Sequence, residues 1–439
     1  MKCDTTIVIG DLSDMKDGQR QTASGAELLE AGETALRRGN SRQAFDLLAR
    51  ASKVGVAIED LGRLAAAFAT AGRFQGRQED VRDWLEEVVA GDSDPAHRVA
   101  LYGARIMMWR HLDITRVEGL MDEALLAAEH AGNDDAYAVI LSHGAFAAYR
   151  RNDLRAANRY AAKAGARNFE TRRAQYAAVR TQLFAAVIPG DLEHAIHLST
   201  KAKAIARELG DIAGIANECN NLAEFYLDLG CPHEAKLNAG EAVRLAQECG
   251  HSGLEYFGRS LGANAMAQLG SIDEALEAYA GLRATDRIFA ADIATVYSFW
   301  LLERRAAGDA RHAREVTQKA ISHAENTGID NRLTPLYGNL ARALICEGDD
   351  EGARSALENA RVAAEHSELP AQLLLALAVA EVMPASNPKR HVVLNQARGR
   401  ILRTAERRED PAAYCLHVRL NRRLLELSGG IPDDLPGSP

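Results

Sequence analysis

The sequence predicts an all-α fold: a right-handed α-solenoid of about nine helical hairpins, closed by a C-terminal capping helix. One observation is a set of turn residues that recurs every 36 to 40 positions through most of the 439 residues. The other is composition, with 47% hydrophobic but only 5% aromatic residues. An interior built mainly from Ala and Leu suits closely packed helices better than a sheet sandwich. Because stacked repeats share one continuous core, we expect one solenoid rather than separate globular domains.

The turn between the two helices of each hairpin marks the repeat. Nine such markers follow one another along the chain: Gly39, Gly76, Leu112, Asn152, Gly190, Gly230, Gly270, Gly308 and Gly348. Five residues after the marker, seven repeats have Ala and two have Val; twelve residues after it, seven repeats again have Ala. Small side chains at these positions let the axes of paired helices approach closely. Leu112 and Asn152 are the weakest markers.

Turn chemistry supports the same boundaries. A glycine that can adopt a left-handed conformation precedes an aspartate at Gly190-Asp191, Gly308-Asp309 and Gly348-Asp349. This order predicts the end of one helix and a carboxylate N-cap on the next. Ser271 with Glu274 predicts a capping box.

The sixth hairpin, residues 215–248, contains small or apolar residues at Leu222, Ala223, Tyr226, Ala235, Ala239 and Ala242. This pattern resembles the tetratricopeptide repeat (TPR), a helical hairpin of about 34 residues. With its longer period, the array is similar to the MalT-like superhelical repeat region of bacterial LuxR-type ATP-dependent regulators, over roughly residues 25–385. Those regulators also carry an ATPase domain and a helix-turn-helix, whereas this sequence contains no GxxxxGK[ST] motif.

From these boundaries we expect a flexible leader at residues 1–24, the TPR-like superhelix at 25–385, basic capping helices at 386–430 and a disordered tail at 431–439. Residues 389–423 contain ten Lys or Arg against three acids. Such a cluster could meet phosphate, an acidic partner or RNA. We favour a solvated face on a capping helix, since no aromatic residues are interleaved to stack bases.

Composition and motifs exclude several classes. The formal charge of −9 argues against general nucleic-acid affinity. Six cysteines without a CxxC pair indicate a reducing compartment. The longest apolar stretch, residues 371–383, is too short to span a bilayer. We therefore predict a cytoplasmic protein with no membrane contact.

The sequence contains no recognisable catalytic constellation. The one His-Glu pair, His233-Glu234, has Leu237 where a zinc-protease motif requires a second histidine. His143 is interpreted as a packing or surface residue. We predict no catalytic residues, no metal site and no cofactor, and therefore a protein that is not an enzyme.

The TPR resemblance implies that the first helix of each hairpin lines a concave groove. In the fourth to seventh repeats it places aromatic, amide and guanidinium side chains there: Phe146, Tyr149, Arg180, Phe184, Asn217, Asn220, Phe257 and Asn264. Amides can pair with an extended backbone while rings accept its side chains. The predicted function is a non-enzymatic scaffold that binds a protein or peptide, in a regulatory or sensor role.

Two alternatives remain open at this point. One is a peptide-controlled receptor of the quorum-sensing TPR type. The other is an enzyme whose groove active site lacks a recognisable motif, which a cluster of strongly perturbed titratable groups would favour. The sequence leaves the identity of the partner and the oligomeric state open.

Overall fold

A computed structural model describes residues 23–91, 95–282, 287–364 and 369–432 of the chain. These residues form twenty-two α-helices, two short 3-10 helices and no strand, which confirms the all-α prediction. Most of the predicted leader (1–22) and tail (433–439) lies outside the described residues. No described helix combines the length and the apolar character needed to cross a membrane.

The first ten helices are α1 (Gly25–Arg37), α2 (Ser41–Val54), α3 (Leu61–Gln75), α4 (Gln78–Gly91), α5 (Pro95–Leu112), α6 (Thr115–His130), α7 (Asp134–Arg150), α8 (Leu154–Gly165), α9 (Arg172–Val187) and α10 (Leu192–Glu208). The next eight are α11 (Ile212–Leu229), α12 (Pro232–Glu248), α13 (Ser252–Gln268), α14 (Ile272–Ala280), α15 (Arg287–Arg304), α16 (Asp309–Thr327), α17 (Leu333–Glu347) and α18 (Asp350–Ala363). The last four are α19 (Leu369–Val382), α20 (Pro388–Ala405), α21 (Pro411–Leu416) and α22 (Arg419–Leu427). The 3-10 helices are Ile58–Asp60 and Asp330–Arg332.

Helices α1 to α18 form nine consecutive hairpins, and eight of the nine predicted markers lie in the turn within their hairpin. Eight markers have a left-handed backbone, from Asn152 with φ of 57° to Gly270 with φ of 101°. The exception, Leu112, is the last residue of α5, and the chain turns at Asp113 and Ile114. Of the two weak markers, Asn152 is therefore a turn residue, whereas Leu112 immediately precedes the turn.

The small residues after each marker form the centre of each hairpin. All nine side chains five residues after the marker are fully buried, at 0% exposure: Ala44, Val81, Val117, Ala157, Ala195, Ala235, Ala275, Ala313 and Ala353. Ala202, twelve residues after its marker, is likewise at 0%. Any larger side chain would push the two helix axes apart.

The helix caps follow the prediction only in part. Asp191 and Asp349 cap α10 and α18, accepting the N–H groups of His194 over 3.4 Å and Gly352 over 2.9 Å. The predicted cap at Asp309 is wrong, because Gly308 occupies the N-cap position of α16 and Asp309 instead pairs with Arg304.

The predicted capping box at Ser271 is also wrong, since its side chain makes no capping hydrogen bond. Its ψ of 64° resembles that of Asp191, 73°. The serine hydroxyl is one bond shorter than a carboxylate and does not reach. A complete capping box instead begins α1, where Ser24 is extended and pairs with Glu27.

The superhelix winds so tightly that successive turns touch. Ser41 Oγ donates to the carbonyl of Gly250 over 2.8 Å, and Ser252 Oγ donates to that of Phe74 over 2.9 Å. Farther along, the N–H of Ile114 donates to the carbonyl of Thr327 over 3.0 Å. In each case the two partners lie about five repeats apart, so one superhelical turn contains about five hairpins.

The C-terminal helices close the end of the array and also reach back across its inner side. Helix α22 packs on α19, and Arg419 Nε donates to Glu303 over 2.8 Å. Residues 404–414, which we call the C-terminal strap, contact the turns of the fifth and sixth hairpins. There Arg408 pairs with Glu193. The backbone at Ala413 lies so close to Gly230 that a Cβ at position 230 would be 2.3 Å from the carbonyl oxygen of Ala413.

Candidate binding cavity

A cavity of about 500 Å³ lies on the inner side of the superhelix, between the first helices of the middle repeats and the C-terminal strap. Its size falls within the range of about 300–1,000 Å³ that is typical of ligand pockets. Helices α7, α11, α13 and α15, the turn after α9 and the start of α19 supply the array side of the wall. The apolar lining includes Tyr149, Val187, Leu192, Phe225, Phe257, Leu261, Val296 and Tyr414.

The charged lining is divided by sign. The array contributes one arginine, Arg332, and five acids: Asp191, Glu193, Glu224, Asp228 and Asp292. The C-terminal strap contributes two arginines, Arg407 and Arg408. An acidic wall therefore faces a basic segment of the same chain.

Asp292 is the centre of a buried ionic network. Its Oδ1 accepts from Arg150 Nη1 over 2.9 Å and also from Arg332 Nε, while Arg332 Nη2 donates to Glu224 over 3.1 Å. Burial alone would raise the pKa of Asp292, but the two guanidinium groups outweigh it and hold that pKa below its ordinary value. The carboxylate is therefore ionised at neutral pH. Its second oxygen, Oδ2, has no hydrogen-bond partner among the described residues.

The strap is held to the acidic wall mainly by Arg408. Its Nη1 donates to Glu193 Oε2 and its Nη2 to the carbonyl of Gly190 over 3.3 Å. The guanidinium group also lies 5.4 Å from the ring centroid of Tyr414, whose pKa is raised to about 12 by burial. Glu193 Oε1 and Arg408 Nε are buried without a partner within the described ranges.

Three of the eight predicted groove residues line this cavity: Tyr149, Phe257 and Asn264. Phe257 stacks on Phe289 with ring centroids 4.5 Å apart. Asn264 Oδ1 accepts a hydrogen bond from Trp300 Nε1 over 2.9 Å, which holds the amide in one orientation.

Phe146, Arg180, Phe184 and Asn217 lie beside the cavity in a network of internal contacts. Phe184 contacts Phe146 and Tyr149 with centroids 5.4 and 5.9 Å apart. Arg180 pairs with Glu218 over 3.2 Å, and Asn217 Nδ2 donates to the same carboxylate over 3.1 Å. These polar groups are therefore engaged by the protein itself.

The eighth residue, Asn220, belongs to helix packing and not to the cavity wall. Its side chain is 1% exposed, and Nδ2 donates to the carbonyl of Leu254 over 3.0 Å. This bond fastens α11 to α13. The amide points toward the neighbouring repeat, so the position does not present it to a ligand.

The sequence analysis missed most of the ionic lining. Asp292 carries a signal that could have been used, because it is the single charged residue in the apolar stretch 288–302. A lone carboxylate in a buried helix needs a partner. Glu193 and Arg408 carry no comparable signal, since 215 positions separate them and only the winding of the superhelix brings them together.

No protein-family model matches the sequence, and no curated protein is similar to it in sequence. Among solved structures, NprR in complex with its cognate peptide NprX is 14% identical, with 76% of this chain and 98% of that chain covered and a TM-score of 0.49. Yeast Tom70 is 11% identical, with coverage of 92% and 89% and a TM-score of 0.42.

The signal transduction ATPase PH0952 from Pyrococcus horikoshii, which has a TPR sensor, is 18% identical, with 74% of this chain covered and a TM-score of 0.40. The alignment spans about half of that protein, 52% of its length. By its own structure, with nine stacked helical hairpins in the described residues, this chain has the architecture of a TPR-like superhelix.

Proposed function

We propose that this chain is a binding protein that holds a segment of a protein or a peptide in the cavity between the middle repeats and the C-terminal strap. The observation that carries the proposal is the cavity of about 500 Å³, whose lining includes the rings of Tyr149 and Phe257 and the amide of Asn264. Rings accept apolar side chains, and an oriented amide can pair with a peptide backbone. Serine and threonine lining residues, Ser260 and Thr295, add further polar groups.

The pKa shifts of two lining residues, Asp292 and Tyr414, support binding rather than acid–base catalysis by these two groups. A general acid or base works best with a pKa near the working pH. In the cavity, the pKa of Asp292 lies below its ordinary value and that of Tyr414 is raised to about 12. Both pKa values are thus shifted away from neutral pH. This supports a site that orients a ligand by charge and hydrogen bonds.

The proposal is tested by filling the cavity. Val296 is half-buried in the wall, so Val296→Trp should occupy the space that a ligand needs. Peptides selected from a display library on the wild-type protein should lose at least about tenfold in affinity for this variant. The matched control is Leu237→Trp, which adds the same ring on the outer helix α12, where Leu237 is 76% exposed.

A second readout is built into the molecule. Trp300 donates a hydrogen bond to Asn264 of the cavity wall, whereas Trp84 and Trp109 belong to earlier repeats. A ligand that touches Asn264 should shift the fluorescence of Trp300, and this shift should disappear in a Trp300→Phe variant. Selected peptides that bind Val296→Trp as tightly as the wild type would contradict the proposal, as would a library that yields no binder.

A peptide-controlled receptor is the second candidate. The observation that favours it is that the cavity joins walls separated by more than 200 positions, at Glu193 and Arg408. A ligand that contacts both walls binds only the closely wound form and therefore stabilises it. In that case, a selected peptide should slow hydrogen exchange in residues 404–414 and in the turn at Gly190. Binding without any change in exchange would favour a passive scaffold.

A further inference from the structure

Two carboxylate oxygens at the cavity have no hydrogen-bond partner among the described residues, Asp292 Oδ2 and Glu193 Oε1. An ionised carboxylate can only accept hydrogen bonds, and leaving it unsatisfied when buried costs free energy. A ligand group that completes the hydrogen bonding of these two oxygens has to be a donor. A guanidinium or ammonium group is the strongest such donor, because its hydrogen bonds are charge-assisted.

The charge of the wall favours the same kind of ligand. Five acids line the cavity, against three arginines: Arg332 on the array and Arg407 and Arg408 on the strap. Arg150 also pairs with one of the acids, Asp292, so the excess of negative charge is small. The C-terminal strap demonstrates how this wall holds a cation, since Arg408 pairs with Glu193, donates to the carbonyl of Gly190 and lies over the ring of Tyr414. A basic segment of the chain itself is thus already seated at one edge of the cavity.

The cavity also offers an unpartnered donor and an apolar extension. Arg408 Nε is buried without an acceptor in the described part of the chain, and a peptide carbonyl could supply one. A second cavity of about 160 Å³ adjoins the first and shares Asn264 and Arg332 with it. Its far wall contains Phe299, Trp300 and Leu374, which suit an apolar side chain.

We propose that the cavity binds a basic peptide segment: a cationic side chain pairs with Asp292 and Glu193, its backbone meets Arg408, and a neighbouring apolar side chain enters the adjoining cavity. This inference rests on the proposed function and names its ligand class. Acidic peptides are disfavoured because carboxylates outnumber arginines in the lining of the cavity, five to three.

The test uses three biotinylated random heptapeptide pools with Arg, Gln or Glu fixed at the centre, bound to the full-length protein and measured by biolayer interferometry. The Arg pool should bind at least about tenfold more tightly than the Gln pool, and the Glu pool should be weakest. Glu193→Gln and Asp292→Asn should each bring the Arg pool close to the Gln pool. The control Glu277→Gln removes an exposed acid on α14 and should change nothing.

Because Asp292 also holds Arg150 and Arg332, the thermal unfolding of Asp292→Asn is measured first. Should that variant fail to fold, Glu193→Gln decides the question. If the Gln or Glu pool binds as tightly as the Arg pool and Val296→Trp abolishes that binding, the preference for basic peptides is wrong while the proposed function stands. If the Arg pool binds both carboxylate variants as tightly as the wild type, it binds elsewhere and the inference fails. If no pool binds, the proposed function itself falls.

Discussion

Ser41 Oγ donates a hydrogen bond to the backbone carbonyl of Gly250 over 2.8 Å, although 209 positions separate the two residues. The neighbouring Gly39 has φ of +73°, and a Cβ there would lie 2.1 Å from the carbonyl oxygen of Glu248. Glycine at this turn therefore serves two purposes: it adopts the left-handed conformation and lets two superhelical turns touch. Gly210 has the same kind of backbone, with φ of +66°, but open space around it.

Substitutions at Gly39 and Gly210 distinguish the cost of the left-handed conformation from the cost of the contact between superhelical turns. Both Gly→Ala variants place an alanine in a left-handed conformation, at a cost of about 1 kcal/mol or somewhat more. Gly39→Ala should lose about 1–3 kcal/mol beyond that, because its methyl group collides with the backbone of the next superhelical turn. Urea unfolding measures the difference. Equal losses for the two variants would show that the contact between superhelical turns does not form in solution.

Removing the carboxylate of Glu218 should strongly destabilise the fold. It is fully buried and accepts from Tyr176 over 3.1 Å, Asn221 over 2.9 Å and Ser199 over 3.0 Å, besides pairing with Arg180. Glu218→Ala leaves the largely buried guanidinium group of Arg180, whose side chain is 16% exposed, without its counter-charge. We therefore expect a loss of about 3–5 kcal/mol in the free energy of unfolding.

The control for that variant is Glu248→Ala. Glu248 pairs with Arg244 over 3.2 Å on the exposed surface of α12, and such pairs contribute about 1 kcal/mol or less. Comparable losses for Glu218→Ala and Glu248→Ala in chemical denaturation would mean that the network around Glu218 does not stabilise the fold.

The packing of the paired helices is tested within one helix. Ala202 in α10 is fully buried, whereas Ala204, two positions later, is exposed. Ala202→Phe should lower the free energy of unfolding by about 1–3 kcal/mol or more through overpacking. Ala204→Phe should stay within about 0.5 kcal/mol of the wild type. A change in melting temperature that is the same for both would contradict the register of this hairpin.

His143 should make the protein sensitive to mild acid. Burial lowers its pKa well below the ordinary value, and the guanidinium of Arg110, 2.7 Å from Nδ1, lowers it further, with Arg180, Arg73 and His111 also contributing. The folded state therefore binds this proton less readily than the unfolded chain, in which histidine titrates at about 6.5. The stability from neutral His143 is present above that pH and is lost as the pH falls toward the lower folded-state pKa.

The His143→Asn variant should accordingly lose less stability between pH 7 and pH 5 than the wild type, as measured by urea unfolding at both pH values. His233→Asn changes an exposed histidine on α12 and should behave like the wild type. An identical pH dependence in all three proteins would indicate that His143 is protonated equally well in the folded and unfolded states.

The sequence by itself determined the hairpins. The turn at Gly39 and the burial of Ala44 depend on residues a few positions apart, so a local pattern is sufficient to predict them. The TPR resemblance placed Tyr149, Phe257 and Asn264 in the groove, and the structure has them in the lining of the cavity, while their role in binding stays a prediction. The resemblance could not show that Asn220, on the same helix surface by register, turns its amide to the next repeat.

Only the tertiary structure decided how far the superhelix winds. Each repeat adds a small rotation to the last, and side-chain packing between neighbours sets that rotation without leaving a periodic trace in the sequence. After about five repeats the sum brings Ser41 to Gly250, and after about four repeats it brings Arg150 to Asp292. That accumulated rotation produces the cavity, its acidic wall and the ion pair between Arg408 and Glu193. Each of them joins residues that are distant along the chain.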